Sequence, residues 1–124
     1  MDPNKLTQKS QEALQNAQNK ALRYGHSEVD GEHLLLALLE QEEGVLPRIL
    51  KRMDIAAADL HNAVGRELEK RPRVTGGGEI YVARRLQKLF VKAEDEAQGL
   101  KDGYVSVEHL VLALIGEEEG TAAG

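Results

Sequence analysis

The sequence predicts an all-α domain whose two halves are related copies, packed as a pseudo-twofold helical bundle. Residues 29–39 return as residues 105–115, an offset of 76 (105 minus 29), and both copies carry the pattern Glu-His-Leu-x-Leu-Ala-Leu. The 124 residues include one Phe, three Tyr and no Trp. The core must therefore be built from aliphatic side chains, which is typical of packed amphipathic helices. Apolar residues also recur at the three- and four-residue steps of an α-helix.

The first two helices are predicted from their stripes and their end signals. Residues 7–24 place small and apolar side chains on one face, namely Ser10, Ala13, Leu14, Ala17, Ala21 and Leu22. Thr7 suits the N-cap, and Gly25 supplies the left-handed residue that commonly ends a helix. Asp30 is then expected to cap a second helix that runs to about Leu39.

Two shorter helices are expected to complete repeat one, residues 1–70. Pro47 fits the first turn of the third helix, and we expect Ile49, Leu50 and Met53 to close over the first two helices. The fourth helix uses an apolar four-residue step at Leu60, Val64 and Leu68. Gly65 weakens that helix by about 1 kcal/mol relative to alanine.

Residues 71–80 are predicted to be a flexible connector, because they combine a proline with three glycines and no apolar period. A phosphate-binding loop is the alternative for this segment. The Walker pattern needs a later glycine followed by Lys and Ser or Thr at the start of a helix, and this sequence has none of these there.

Repeat two, residues 81–124, is predicted to begin with a helix that carries the stripe Leu86, Leu89, Phe90, Ala93, Ala97 and Leu100. Ser106 is expected to cap the next helix, whose apolar positions are Leu110, Val111, Leu114 and Ile115. Nothing follows that matches the last two helices of repeat one. We therefore expect a fragment of a longer chain, or its ordered part, in which the apolar face of residues 110–115 is under-covered and invites self-association.

Composition excludes several classes of function. The formal net charge of −5 and the pI near 5.4 argue against nucleic acid as a partner. The absence of cysteine excludes disulfides, thiolate catalysis and Cys-based zinc sites. No stretch approaches the length of a membrane span, and the N-terminus does not resemble a signal peptide. We expect a cytoplasmic protein without membrane or nucleic-acid partners.

The repeated Glu-His pairs are the candidate chemical motif. Glu32 and Glu108 fall in the first turns of their helices, where a carboxylate is favoured by the positive helix end. His33 and His109 lack the His-x-x-x-His spacing of a zinc site, so we interpret them as capping or packed histidines. The other two histidines, His26 and His61, are predicted to be isolated and have no motif around them. The acidic run 117–119 is interpreted as a solvated helix end.

Catalytic patterns are equally scarce, since the sequence contains no nucleophile elbow and no distinctive carboxylate pair. An acid-base or metal hydrolase would need such a motif. We therefore predict a non-enzymatic chain with no metal site and no catalytic residues.

The chain resembles the Clp N-terminal domain family over essentially its whole length. The resemblance is carried by Asn-Lys-Leu-Thr-Gln-Lys-Ser-Gln-Glu-Ala-Leu at 4–14, Ala-Leu-Arg-Tyr-Gly-His at 21–26 and the doubled Glu-His-Leu-x-Leu-Ala-Leu. The opening segment and the connector Arg-Pro-Arg-Val-x-Gly-Gly-Gly look most like the ClpB disaggregase branch rather than the protease-linked ClpC or ClpA branch.

That resemblance implies eight helices, four per Clp repeat, of which the second repeat here lacks its last two. It also implies attachment to two AAA+ ATPase modules that form a homohexameric ring. ATP and magnesium belong to those modules, which are not in this chain, so no cofactor is expected here. The implied partners are unfolded or aggregated proteins, which the domain passes to the ring. The alternative is an adaptor- or phosphoarginine-docking domain of a ClpC- or ClpA-like protease ATPase.

The resemblance also implies site residues. The polar positions linked to substrate handling in ClpB-like domains match Thr7, Asp102 and Glu108, and the glutamates that ClpC-like domains use for phosphoarginine match Glu32 and Glu108. Carboxylates at a groove would favour peptides that carry Arg or Lys.

The repeat offset makes the two grooves unequal. It carries Thr7 onto Ala83 and Asp102 onto His26, so only the glutamate is kept in the other half. We therefore expect the groove that contains Glu108 to dominate peptide binding, with a smaller contribution from Glu32. Phosphoarginine binding is not expected, because Ala83 offers no hydroxyl to a phosphate.

Overall fold

The computed structural model describes residues 3–74 and 80–116, which contain six α-helices and confirm the all-α class. A 3-10 helix, Pro3–Lys5, precedes α1 (Gln8–Arg23). After β1 (Glu28–Val29), the chain continues through α2 (Gly31–Leu39), α3 (Val45–Arg52) and α4 (Ala57–Glu69). The second half contains β2 (Tyr81–Val82), α5 (Arg84–Gly99) and α6 (Val107–Ile115). None of the helices in this part of the chain is both long and apolar enough to cross a membrane.

Backbone pairing reproduces the pseudo-twofold relation between the halves. Val29 of β1 lies opposite Val82 of the parallel strand β2, and the repeat offset carries this pair onto Val105 and Leu6. Those two residues form a parallel bridge of their own. In each half, the segment before the first helix therefore pairs with the loop before the second helix of the other half. These two pairings cross the halves over one another.

The predicted helix ends are confirmed. Thr7 caps α1, with its Oγ1 accepting a hydrogen bond from the Ser10 N–H at 3.2 Å. Gly25 follows α1 with a φ of 72°, the left-handed conformation that glycine adopts at little cost. Asp30 and Ser106 are the N-caps of α2 and α6.

The core is aliphatic and centres on α2. Three alanines on α1, namely Ala13, Ala17 and Ala21, are completely buried and allow α2 to approach closely. The apolar residues of α2 are buried all around the helix because α1, α3, α4 and α5 pack against it. A helix that is hydrophobic on every side is stable only in such a position.

Four residues of the predicted apolar stripes are exposed instead, the first being Leu22 near the end of α1, at 66%. Met53 and Leu100 are C-cap residues, of α3 and α5, and Ile115 is the last residue of α6. At a helix end the chain turns away from the core. The apolar pattern of the sequence therefore continues past the last residue that is buried. The buried residues of α3 are Leu46 and Leu50.

The under-covered face of α6 is smaller than predicted. Leu110, Val111 and Leu114 are buried, whereas Leu112 and Ile115 are 43% and 64% exposed. Their counterparts in the first half, Leu36 and Leu39, are only 1% and 7% exposed. α3 and α4 pack against α2, and no matching pair of helices covers α6 within the described residues.

The beginning of the predicted connector contacts the first half of the repeat. The Val74 N–H donates to the Gly25 carbonyl at 2.7 Å, and Arg71 forms ion pairs with α2 and its N-cap. Residues 75–79, with the three glycines, and the acidic run 117–119 lie outside the described residues.

Candidate functional site

A cleft of about 390 Å³ lies where the N-termini of α1 and α6 meet the loop between α2 and α3. It combines residues from both halves of the repeat. Its lining consists of Thr7, Lys9, Gln41, Glu42, Glu43, Gly44, Val45, Arg48, Ser106, Val107 and Glu108. Two of the residues predicted from the sequence, Thr7 and Glu108, are therefore brought together here.

The crossover between the halves holds the two helix N-termini side by side. The Thr7 N–H donates to the Val105 carbonyl at 3.1 Å, and the buried Ser10 hydroxyl donates to the same carbonyl at 3.0 Å. The Val105 N–H in turn donates to the Lys5 carbonyl at 2.7 Å. These bonds hold Thr7 and Ser106, which line the cleft, next to one another.

The loop from Gln41 to Gly44 forms the opposite wall. The Gln41 side chain donates to the Lys9 carbonyl at 3.0 Å, which ties the loop to α1. Gly44 leaves no room for a side chain, since a Cβ there would lie 2.8 Å from the Cβ of Gln41. Glu43 adopts a left-handed φ of 54°. The tight turn thus brings Glu42 and Glu43 into the lining.

The lining carries three carboxylates, on Glu42, Glu43 and Glu108, and two cations, on Lys9 and Arg48. The Arg48 Nε donates to the Gly44 carbonyl at 3.3 Å. The exposed Glu108 side chain makes no hydrogen bond or ion pair with any part of the chain that the structure describes. It is therefore a carboxylate at the first turn of α6 that is open to a ligand.

Asp102, the third predicted residue of this groove, does not line the cleft. Its Oδ2 lies 2.8 Å from the Nε2 of His109, whose Nδ1 accepts a hydrogen bond from the Ser106 N–H at 2.8 Å. Asp102 is thus connected to the cleft through His109 and Ser106. The interpretation of His109 as a capping histidine is confirmed.

Glu32, the fourth predicted residue, lies between two arginines. Its Oε1 lies 2.7 Å from Nη2 of Arg85, and its Oε2 lies 3.0 Å from Nη2 of Arg71. Both guanidinium groups also approach Asp30, at 3.6 Å and 3.4 Å. Burial acts to raise the pKa of Glu32, but the hydrogen bond from Arg85 and the charge of Arg71 outweigh it and hold the pKa below its usual value. The side chain is only 15% exposed.

His26 is not isolated, contrary to the prediction. Its Nδ1 lies 2.9 Å from the Nε2 of the fully buried His33, and the ring of Tyr24 stacks on it at 5.5 Å. Burial, followed by the neighbouring His26 and Arg71, lowers the pKa of His33 to about 4. The Asp30 N–H donates to the Nδ1 of His33 at 2.9 Å, so this histidine also caps its helix as predicted.

His61 also has a partner, which corrects the same prediction. Its Nε2 lies 2.7 Å from the Oε2 of Glu40, and Lys20 pairs with the same carboxylate. In residues 3–74 and 80–116 no group of three His, Asp or Glu side chains could hold a metal ion.

The family model described as "Clp repeat (R) N-terminal domain" matches residues 5–124. The chain belongs to this family. The ClpB chaperone of Nitratidesulfovibrio vulgaris is 50% identical over 128 residues, which are 100% of this chain and 15% of that protein. The ClpB chaperone of Bacillus cereus strain ATCC 14579 is 44% identical over 124 residues, which are 97% of this chain and 14% of that protein.

Solved Clp-family N-domains have the same fold. The N-terminal domain of Hsp104 from Candida albicans matches with a TM-score of 0.82 and 27% identity, over 90% of this chain and 73% of that one. The N-terminal domain of the ClpV1 ATPase from Escherichia coli matches with a TM-score of 0.80 and 28% identity, over 90% and 68%. The chain spans about 15% of the length of its curated ClpB relatives, and their names favour a ClpB-type N-domain.

Sequence reasoning about this Clp domain missed the loop wall and the arginines of the second groove. A signal for the loop was present, because Glu42-Glu43-Gly44 recurs as Glu118-Glu119-Gly120, although the second copy lies outside the described residues. No sequence signal connects Arg71 to Glu32. Arg71 follows the end of α4, and only the fold brings that end to the N-terminus of α2.

Proposed function

We propose that the chain is the substrate-binding N-terminal domain of a ClpB-type disaggregase, and that unfolded or aggregated polypeptide binds in the cleft between Thr7 and Glu108. In this proposal the bound segment passes to the AAA+ modules of the same protein, which form a homohexamer and use ATP and magnesium. This domain contributes recognition and no catalytic residue. The cytoplasm is the proposed location.

The single observation that carries the proposal is the open carboxylate of Glu108 in a cleft shared by both repeats. Glu42 and Glu43 add negative charge to the same cleft, so Arg and Lys side chains of a bound peptide can form charge-assisted hydrogen bonds there. Val45 and Val107 provide apolar surface for the non-directional part of binding. Affinity is expected to be weak, because a mobile peptide must be ordered on binding.

The second groove is proposed to contribute less, because Glu32 is already paired with Arg71 and Arg85. A basic side chain would have to displace one of these two guanidinium groups from a partly buried position. Ala83, the counterpart of Thr7, also has no hydroxyl. Both features favour peptide binding mainly at the groove that contains Glu108.

A direct test measures the binding of a fluorescently labelled, permanently unfolded protein by anisotropy. Glu108→Gln should weaken binding about two- to fivefold, the ratio that corresponds to an exposed charge pair of up to ~1 kcal/mol. The matched control is Glu69→Gln, an exposed glutamate at the end of α4 that lies outside the cleft, which should bind like the parent chain. Equal affinity of Glu108→Gln and the parent would contradict the proposal.

The alternative function is the docking of an adaptor or phosphoarginine, as in ClpC- or ClpA-like ATPases, and Glu32 and Glu108 are the residues that favour it. Calorimetry with free phosphoarginine separates the two proposals. We expect no saturable binding at Glu32, because Arg71 and Arg85 occupy the positions of a guanidinium ligand. Tight binding at both glutamates would support the alternative instead.

A further inference from the structure

The two halves use the same turn to present different side chains to the capping histidine. After α5, Lys101 adopts a φ of 59° and the Asp102 N–H donates to the Ala97 carbonyl at 2.9 Å. After α1, Gly25 has a φ of 72° and the His26 N–H donates to the Ala21 carbonyl, also at 2.9 Å. The backbone therefore aims position 102 at His109 as it aims position 26 at His33.

Hydrogen bonding fixes the tautomer of His109. Its Nδ1 faces two donors of Ser106, the backbone N–H at 2.8 Å and the hydroxyl at 3.0 Å, so this nitrogen must be the unprotonated acceptor. The proton consequently resides on Nε2, which donates to the Asp102 carboxylate at 2.8 Å. Asp102 accepts a hydrogen bond from this tautomer and thereby stabilises the form of His109 that caps α6.

From this geometry we infer that Asp102 is a positioning residue for the cleft and not a residue that contacts polypeptide. It acts through His109, which holds Ser106 and with it the first turn of α6 on which Glu108 stands. Ser106 and Glu108 line the cleft, whereas Asp102 does not. The inference rests on the proposed function of the cleft.

The first half shows what this position requires. There the acceptor for the histidine's Nε2–H is the Nδ1 of His26, at 2.9 Å, because the Nδ1 of His33 accepts from the Asp30 N–H. A neutral acceptor therefore maintains the same capping arrangement. The requirement at position 102 is an acceptor atom, and the negative charge of Asp102 is not needed for it.

Asp102→Asn and Asp102→Leu separate these two properties. Both substitutions remove the charge, but the asparagine carbonyl can still accept from His109, whereas the isosteric leucine cannot. Asp95→Leu is the control, since Asp95 is an exposed acid on α5 that is absent from the cleft. Asp102→Ala serves as a second variant without an acceptor if circular dichroism shows that Asp102→Leu has unfolded.

Two readouts are needed. Anisotropy with the labelled unfolded protein should show binding close to the parent for Asp102→Asn and about fivefold weaker binding for Asp102→Leu, the order expected when a helix cap is lost. The ¹⁵N shifts of the His109 ring should retain the pattern of an unprotonated Nδ1 in Asp102→Asn and lose it in Asp102→Leu.

Equal weakening by Asp102→Asn and Asp102→Leu, with the His109 ring shifts unchanged, would overturn the inference in favour of a direct charge contact. Parent-like binding by Asp102→Leu would also overturn it, provided that Glu108→Gln weakens binding in the same assay. If Glu108→Gln also binds like the parent chain, the proposed function of the cleft fails as well. The two failures are therefore distinguishable.

Discussion

Oε1 of Glu32 lies 2.7 Å from Nη2 of Arg85, so the first half of the repeat neutralises the glutamate that the second half leaves open at Glu108. The two glutamates occupy equivalent first-turn positions. One is part of an ionic cluster that joins α2, α5 and the beginning of the connector, and the other lines a cleft. Equivalent residues of the two repeats therefore have different surroundings.

The first prediction concerns the stability of this cluster. Glu32→Gln should lower the free energy of unfolding by about 1–2 kcal/mol, because it leaves Arg71 and Arg85 incompletely paired in a partly buried position. Glu108→Gln should change stability by less than about 0.5 kcal/mol, since its side chain is exposed. Urea denaturation of both variants checks this, and a larger loss for Glu108→Gln would contradict it.

The second prediction concerns pH. The pKa of His33 is about 4 in the folded chain and about 6.5 when the chain is unfolded, so acid favours the unfolded state. The stability due to neutral His33 is fully present above pH 6.5 and is lost as the pH falls from there towards 4. The free energy of unfolding should drop by roughly 2 kcal/mol between pH 7.5 and pH 5.

The variant His26→Asp isolates this effect, because it gives His33 the carboxylate partner that His109 has. Its loss of stability between pH 7.5 and pH 5 should be smaller than that of the parent. Burial acts to raise the pKa values of Glu32 and Glu40, but their hydrogen bonds and cationic partners outweigh it and lower both values, so these groups titrate below this window. An unchanged pH dependence would show that the buried histidine pair is not its source.

The third prediction follows from the burial of α2 and α6, because other helices cover α2 more completely than α6. Leu36→Ala should cost about 2–5 kcal/mol of unfolding free energy, as is usual for a fully buried leucine. The equivalent Leu112→Ala should cost less than about 1 kcal/mol, because Leu112 is largely uncovered. Thermal or urea unfolding measures both. Equal costs would mean that α6 is covered in solution, for example by self-association.

The fourth prediction concerns two glycines. Gly65→Ala should raise stability by about 0.5–1 kcal/mol, because the residue lies inside α4 and a Cβ there would meet only the Tyr24 hydroxyl, at 3.4 Å. Gly44→Ala should lower stability and weaken peptide binding, since its Cβ would collide with Gln41 and displace the loop wall. Stabilisation by both substitutions would contradict the close packing of that wall.

Local signals in the sequence predicted much of the fold. Thr7, Asp30 and Ser106 were identifiable as caps because capping depends on residues within one turn, and the repeat predicted the pseudo-symmetry. Met53 and Leu100 were misassigned because a periodic pattern does not show where a helix leaves the core.

The site was less accessible to sequence reasoning. Family resemblance supplied Thr7 and Glu108, but the partners of Glu32 depend on contacts between segments far apart in the chain. His26 meets His33 across the loop between α1 and α2, and no spacing motif marks that pair. Arg71 lies beside Glu32 only because α4 returns the chain to the N-terminus of α2. The contact between Asp102 and His109 likewise depends on the fold and not on a sequence motif.

The most direct test of the central claim is an NMR titration of the ¹⁵N-labelled chain with an unfolded protein. Amide shifts should change around Thr7, Gly44 and Glu108, and they should remain nearly constant around Glu32 and Arg85. The Glu108→Gln variant should show the same pattern at higher ligand concentration. Equal shifts at both helix N-termini, or shifts confined to the Glu32 groove, would contradict the claim that the domain binds polypeptide on one side.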